Sequence, residues 1–261
     1  METSDIRSFA NYLLAGEENR QEVARITLDY PGLSVEEAYH IQEEIVKIKL
    51  GQGKKIVGPK MGLTSRAKMK QMSVEEPIFG YIFDYMVVPD GGQISMSEFI
   101  HPKVEAEIAF ILGKDVEGAG ITGAQILAAT EYVLPALEII DSRYENFKFT
   151  LPDVIADNAS SARVVFGPRI PYTNRLDLEL VGATLSINGQ IKEFGTGAAV
   201  LGHPAQSVAM LANILHRKGE KLREGDIILT GGITEALLLN QGDEVQVKLD
   251  GIGEASFAMI E

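Results

Sequence analysis

The chain has 261 residues, with 24 Lys and Arg against 37 Asp and Glu for a formal net charge of −13, 45% apolar residues and no cysteine. That balance argues against a general nucleic-acid or acidic-membrane binder, because neutralising phosphates takes a basic surface, and the missing cysteines exclude disulfides, thiolate metal sites and cysteine nucleophiles. The acidic, amphipathic N-terminus does not read as a signal peptide and no apolar stretch approaches the ~20 residues of a membrane span, so the expected location is the cytoplasm.

The first expected element is a helix over Asp5–Ala15, where Ile6, Phe9, Leu13 and Leu14 make one apolar stripe. A second helix starts at Ser34, since Ser34-Val35-Glu36-Glu37 fits a capping box, and ends at Gly51 and Gly53. A short strand is expected over Lys54–Val57 and a helix over Ser65–Met72. After Pro77 the texture changes. Strand-like runs occupy Ile78–Met86, Val104–Leu112, Val133–Ile140, Ala162–Phe166, Leu178–Ile187, Ile227–Thr230, Val245–Leu249 and Ala255–Ile260, with helices at Thr122–Glu131 and Pro204–His216. Asn188-Gly189 after one run predicts a type I′ hairpin. The reading is an α+β chain: a helical N-terminal lobe over residues 1–75 and a glycine-rich, mostly β body over 76–261.

Several motifs can be set aside. Gly53-Lys54-Lys55-Ile56-Val57-Gly58 is followed by Pro59-Lys60, not by the Lys-Ser/Thr of a phosphate loop. Gly195-Thr196-Gly197 lacks the third glycine and the βαβ setting of a dinucleotide site.

The segment His101-Pro102-Lys103-Val104-Glu105-Ala106-Glu107-Ile108 is more informative. Alternation along a strand puts Glu105 and Glu107 on one face, about 7 Å apart at Cα, close enough to converge on one cation. Without a counter-ion they would repel, and a hard divalent cation such as Mg²⁺ resolves that conflict. A solvent-facing stripe is the plainer alternative. Glu138 weighs against it, because it lies inside the apolar run Val133–Ile140, and a buried glutamate needs a partner. That partner is either a metal shared with Glu105 and Glu107 or a cation such as Arg143 or Lys103.

Lys60 ends the expected short strand amid glycines, and a helix N-terminus follows at Leu63-Thr64-Ser65. Backbone N–H groups there suit an anion such as a substrate carboxylate, and Lys60 serves either as a point charge and proton carrier or as a surface lysine. Asp157-Asn158-Ala159-Ser160-Ser161 is either a pocket loop or a turn. His40 and His216 read as surface residues, His203 as part of a structural turn, and His101 as a neighbour of the glutamate strand.

The motifs KMGLTSRAKMKQM (60–72), HPKVEAEIAF (101–110), LPALEIIDSR (134–143), ADNASSARVVFG (156–167), GAAVLGHPAQSVAMLAN (197–213) and LTGGITEAL (229–237) together resemble a family of hydratases and decarboxylases acting on 2-keto-4-pentenoate and 4-oxalocrotonate. This family is related to the fumarylacetoacetate hydrolase fold. The resemblance covers nearly the whole chain in the same motif order, and the 62–72 and 229–237 segments look more like its decarboxylase branch. It implies a mixed β-sheet roll with a small helical lobe and a homo-oligomer. It also implies Mg²⁺ or Mn²⁺ on Glu105, Glu107 and Glu138, with Lys60 and Asp157 as catalytic groups and Leu63, Thr64, Ser65 and Ser160 near the substrate. The implied reaction is decarboxylation of 2-oxo-3-hexenedioate in meta-cleavage catabolism of aromatic compounds. The alternative is hydration of 2-hydroxypenta-2,4-dienoate on the same site. Complex formation with a partner hydratase is a further implication. Intact Lys60 and all three glutamates argue against a catalytically dead scaffold.

Overall fold

The computed structural model describes residues 2–71 and 75–261. Helices α1 (Thr3–Asn19), α2 (Ile26–Asp29) and α3 (Val35–Gly51) come first, then β1 (Ile56–Gly62), α4 (Arg66–Gln71), β2 (Ile78–Phe83), β3 (Val87–Val88) and β4 (Gly92–Ser95). The middle of the chain forms β5 (Lys103–Leu112), α5 (Gly123–Ala129), β6 (Thr130–Ile140), α6 (Leu151–Ala156), β7 (Ser161–Phe166) and β8 (Ile170–Pro171). The remainder forms β9 (Gly182–Ile187), β10 (Gln190–Thr196), α7 (Pro204–Arg217), β11 (Ile227–Leu229), β12 (Leu237–Leu238), β13 (Glu244–Leu249) and β14 (Gly253–Ile260).

The apolar stripe of α1 buries Ala10, Leu13 and Leu14 against Ala38, Ile41 and Ile45 of α3. The cap foreseen at Ser34 is present: Glu37 N–H donates to Ser34 Oγ at 3.2 Å, and Ser34 N–H donates to Glu37 Oε2 at 3.0 Å. This helical core also takes in Tyr144, Val154, Ile155 and Ala159, so the α6 segment folds back onto α3. Buried Gln42 fixes that junction by donating to the carbonyls of Phe79 at 3.0 Å and Ile155 at 2.9 Å.

Among the described residues the strands form two mixed sheets. The larger has the order β2-β1-β11-β5-β6-β7-β3, with β12 beside β5 and β8 beside β6; the smaller has the order β10-β9-β13-β14-β4. One face of the larger sheet (Val104, Ala106, Ile108, Leu137, Ile139) packs with Leu185, Val247 and Phe257 of the smaller sheet and with Val208 and Leu211 of α7. The opposite face carries Ala109, Ala136, Val164 and Leu229. The parity read from the glutamate segment is the parity observed.

Several boundaries differ from expectation for physical reasons. The first strand begins at Ile56 and runs to Gly62 instead of covering 54–57, so Lys60 lies within it. Gly58 there marks a close approach and not a turn, since a Cβ would fall 2.0 Å from the Ile227 carbonyl oxygen. The run Ile78–Met86 breaks at Phe83 into a 3₁₀ turn, and Leu178–Ile187 becomes a strand only from Gly182. The helix at 122 stops at Ala129, where β6 begins. Met72, at the end of the helix expected over Ser65–Met72, lies outside the described residues. Asn188 (φ 53°) and Gly189 (φ 73°) make the foreseen hairpin turn into β10. His203 caps α7 by accepting the Ala205 N–H at 3.0 Å. The 197–217 stretch is apolar along its length, but its α-helix covers only the 14 residues Pro204–Arg217 and packs in the core, short of a bilayer's thickness.

Candidate active site

Antiparallel pairing of β5 with β6 sets Glu105 opposite Glu138 and Glu107 opposite Ala136. Side chains of directly opposed residues leave a sheet on the same face, so the three carboxylates gather where small Ala136 leaves room. One oxygen from each lies within 4.8 Å of the others. Glu107 and Glu138 are fully buried and Glu105 is 8% exposed, so the approach to the group is on the Glu105 side.

Burial, then the charge of Glu138, push Glu107 well above the ordinary carboxylate range, with Lys60 opposing. Burial also raises Glu138, against the pull of Lys60. Lys60 reaches the same face from β1, where it pairs with Leu229 of β11. Its Nζ sits 3.0 Å from Glu138 Oε1 and donates to the Ala159 carbonyl at 3.0 Å. The cation next to Glu138 is thus Lys60. The two alternatives raised from sequence are engaged elsewhere: Lys103 lies over the Phe147 ring at 4.1 Å, and Arg143 pairs with Asp157.

One ammonium does not compensate three clustered carboxylates. Glu107 Oε1 and Glu138 Oε2 are buried with no hydrogen-bond partner, a costly arrangement for oxygens that accept strongly. An all-oxygen set of three carboxylates with unsatisfied lone pairs fits a hard divalent cation, which would neutralise the repulsion and take the orphaned oxygens. The residues fit the metal expected from sequence.

A glycine arch closes the site. Strands β11 and β12 both pair with β5, at Ala109–Ile111 and at Lys103–Val104, so residues 230–236 pass alongside Glu105 and Glu107. Thr230 Oγ1 donates to the Ile108 carbonyl at 2.8 Å, and Ile233 N–H donates to the Ala106 carbonyl at 2.8 Å, which holds the arch down. Gly231 N–H then donates to Glu107 Oε2 at 2.8 Å. Both glycines are required for contact: a Cβ on Gly231 (φ +107°) would fall 1.9 Å from Thr64 Oγ1, and one on Gly232 2.7 Å from Glu105 Oε2. Sequence reasoning used this Gly-Gly pair only for the resemblance. Two glycines directly after the apolar run 227–229 were the available signal of a close approach.

Thr64 is buried against that arch, and its carbonyl accepts the Leu201 N–H at 3.0 Å. Leu63 has a left-handed backbone (φ 58°) and packs on the helical core, and Ser65 is half-buried at the head of α4. The other wall is a turn of three successive non-glycine residues at positive φ: Asn158 (49°), Ala159 (51°) and Ser160 (57°). Each such residue costs about 1 kcal/mol or more, so the surroundings must impose the turn. Ser160 Oγ is buried and has no hydrogen-bond partner.

Asp157, expected among the catalytic groups, is held by Arg143. Its carboxylate takes the Arg143 backbone N–H at 3.1 Å and a short ion pair with Arg143 Nε. Arg143 Nη1 also donates to the carbonyls of Asp141 (2.7 Å) and Ser161 (3.1 Å), and Nη2 to that of Asp157. Burial raises Asp157 to about 6 despite Arg143. The carboxylate is engaged by the buried Arg143, a contact that ties this loop to the segment after β6. The His101 ring lies 3.0 Å from Glu22 Oε1 and 2.7 Å from the Ser142 carbonyl.

Comparison with known proteins identifies the family. The signature described as Fumarylacetoacetate (FAA) hydrolase C-terminal matches residues 54–259. A 4-oxalocrotonate decarboxylase of Pseudomonas sp. (strain CF600) is 47% identical over 98% of this chain and 97% of its own length. A 2-hydroxyhexa-2,4-dienoate hydratase of Comamonas testosteroni is 37% identical over 92% of this chain and 91% of its own. The solved 4-oxalocrotonate decarboxylase of Pseudomonas putida G7, complexed with magnesium and adipate, superposes with a TM-score of 0.97 at 45% identity, covering 100% of this chain and 99% of that one. The chain belongs to the fumarylacetoacetate hydrolase family.

Proposed function

We propose that the chain is a metal-dependent 4-oxalocrotonate decarboxylase, converting 2-oxo-3-hexenedioate to 2-hydroxypenta-2,4-dienoate and CO₂. The observation that carries this reading is the near-complete overlap, in sequence and in fold, with decarboxylases of that name, at identities above the hydratase relative. The adipate with which, together with magnesium, the Pseudomonas putida relative is complexed is a saturated six-carbon dicarboxylate, matching the substrate in length and charge.

In this substrate the distal carboxylate lies across a C=C from the 2-ketone. Breaking the C5–C6 bond releases CO₂ and sends its electron pair through the double bond to the 2-oxygen, which then takes a proton. Magnesium held by Glu105, Glu107 and Glu138 would supply Lewis-acid stabilisation of that developing charge. Lys60 is assigned a fixed positive charge and the proton for the 2-oxygen, with Glu138 and the Ala159 carbonyl holding its Nζ in place. Ser160 Oγ, buried and unpartnered, is assigned a hydrogen bond to the substrate, and Leu63, Thr64 and Ser65 a place along its path. Burial of the glutamates keeps water from the charged groups and strengthens each interaction. A homo-oligomer in the cytoplasm, associated with a partner hydratase, completes the proposal; the family resemblance supports it.

The test follows purified protein on 2-oxo-3-hexenedioate with Mg²⁺ and then with EDTA, recording CO₂ and ultraviolet absorbance. Metal-dependent CO₂ release is expected. Consumption of 2-hydroxypenta-2,4-dienoate without CO₂ release from the dicarboxylate would assign the hydratase reaction instead.

A further inference from the structure

We infer that Asn158 is a positioning residue for Lys60, acting through the carbonyl of Ala159; the inference rests on the proposed role of Lys60. The Lys60 Nζ has two anchors, Glu138 Oε1 and the Ala159 carbonyl, each at 3.0 Å. The second anchor lies in the middle of the left-handed turn 158–160. Its position therefore depends on whatever holds that turn against β1 and β2.

The Asn158 amide does so. Its Oδ1 accepts the Tyr81 N–H at 2.8 Å, and its Nδ2 donates to the Tyr81 carbonyl at 2.9 Å. β2 is an edge strand of the larger sheet. Tyr81 faces Pro59 across the β1–β2 ladder, and proline has no N–H to offer. The amide occupies the place a neighbouring strand would take. Gly80, the residue before Tyr81, is the register partner of Lys60, and a Cβ there would fall 2.6 Å from the Asn158 carbonyl oxygen. The turn is thus docked on the strand position directly beside Lys60. Asn158 also tolerates the left-handed backbone better than most residues, so a single residue supplies both the conformation and the clamp.

Asn158→Gly separates these two contributions, since glycine keeps the left-handed freedom and loses the amide. Asn158→Asp keeps the size and one acceptor and loses the donor to the Tyr81 carbonyl. In metal-free protein, acetylation of Lys60 by acetic anhydride, read by mass spectrometry, reports on its anchoring without any turnover. Labelling is expected to rise severalfold in Asn158→Gly and less in Asn158→Asp. With Mg²⁺, kcat on 2-oxo-3-hexenedioate is expected to fall between about tenfold and 10²-fold, with Mn²⁺ affinity preserved. In a Lys60→Ala background the same substitution is expected to cost nothing further. Unchanged labelling in both variants, or an equal loss of kcat with and without Lys60, would overturn the positioning role. Increased labelling in a protein that does not release CO₂ would preserve the anchoring and reject the decarboxylase reading instead.

Discussion

Glu105 and Glu138 face each other across the β5–β6 ladder, and both carboxylates leave the sheet on the face that carries Lys60. Strand pairing, not loop conformation, sets their spacing. The site is therefore as rigid as the sheet, and the metal-free protein must store the repulsion that this rigidity imposes.

Glu107→Gln removes a buried ionisable carboxyl at nearly constant shape, keeping an acceptor for Gly231 N–H. Metal-free protein is expected to melt a few degrees higher than wild type, about what 1–2 kcal/mol yields in a chain of this size. Turnover is expected to fall by about 10²-fold or more, and stabilisation by Mg²⁺ to disappear. Thermal melts with Mg²⁺ and with EDTA, paired with an activity assay, check both halves. An equal gain from Mg²⁺ in the variant would remove Glu107 from the metal site.

The raised values of Glu107 and Glu138 fix a sign for pH dependence. Folded metal-free protein binds more protons than the unfolded chain above the ordinary glutamate value of 4.5. Their contribution to metal-free stability is therefore full below that value and is lost as pH rises through the folded-state values. A bound cation must displace those protons, so its affinity is expected to rise with pH, by up to about tenfold per unit for each proton displaced. The gap in melting temperature between Mg²⁺-loaded and EDTA-treated protein should widen from pH 5 to pH 8. A constant gap would contradict the raised values.

Lys60→Met separates metal binding from catalysis. The Lys60 ammonium sits 3.0 Å from Glu138 Oε1 and competes with a cation for that carboxylate. Its removal is expected to weaken the metal-free fold, because a buried charge loses its partner, and to tighten Mn²⁺ binding, while kcat falls by about 10²-fold or more. Calorimetric titration of Mn²⁺ into the variant checks the sign. Weaker Mn²⁺ binding would mean that Lys60 supports the site in some way other than as a competing charge.

Much of this site was readable in the sequence because it follows local periodicity. Alternation gave the shared face of Glu105 and Glu107, and an apolar run around Glu138 marked a charge that needed a partner. Its ionic partner was not readable, since Lys60 arrives from a strand separated from β6 by β11 and β5. The extent of β1 was masked by Gly58 and Pro59, which signal a turn locally but serve a close strand approach here. The turn at 158–160 was hidden for a related reason. Three consecutive left-handed residues without glycine contradict local preference and are held by tertiary contacts, among them the Asn158 amide on Tyr81, the Lys60 ammonium on the Ala159 carbonyl and the Asp141 N–H on the Ser160 carbonyl.

Asp157→Asn distinguishes a structural from a chemical role for that residue. It removes the ion-pair partner of the buried Arg143 guanidinium, a loss of up to about 3–5 kcal/mol by analogy with other broken buried pairs. A drop of several degrees in melting temperature is expected. Well below that temperature, kcat is expected to stay within about tenfold of wild type, since the carboxylate is engaged by Arg143. A kcat loss of 10³-fold or more in a well-folded variant would restore Asp157 to the chemistry.

Gly232→Ala tests the arch over the cation site with little demand on the fold. Unlike Gly231, Gly232 is not among the residues at positive φ, so alanine meets no backbone penalty there. Its Cβ would lie 2.7 Å from Glu105 Oε2 and 2.9 Å from Glu105 Cδ, the far end of a side chain that can turn aside. The cost should therefore appear in ligand geometry more than in stability. Melting of the metal-free protein is expected to stay within a few degrees of wild type, while Mg²⁺ affinity falls by about 10–100-fold, the usual effect of disturbing a group that orients a ligand. Gly231→Ala is the contrasting variant. Its Cβ would strike Thr64 at 1.9 Å from a backbone at φ +107°, so stability is expected to fall together with metal affinity. If Gly232→Ala instead lowered the melting point as much as Gly231→Ala and left Mg²⁺ affinity intact, Glu105 would not be a ligand held by the arch.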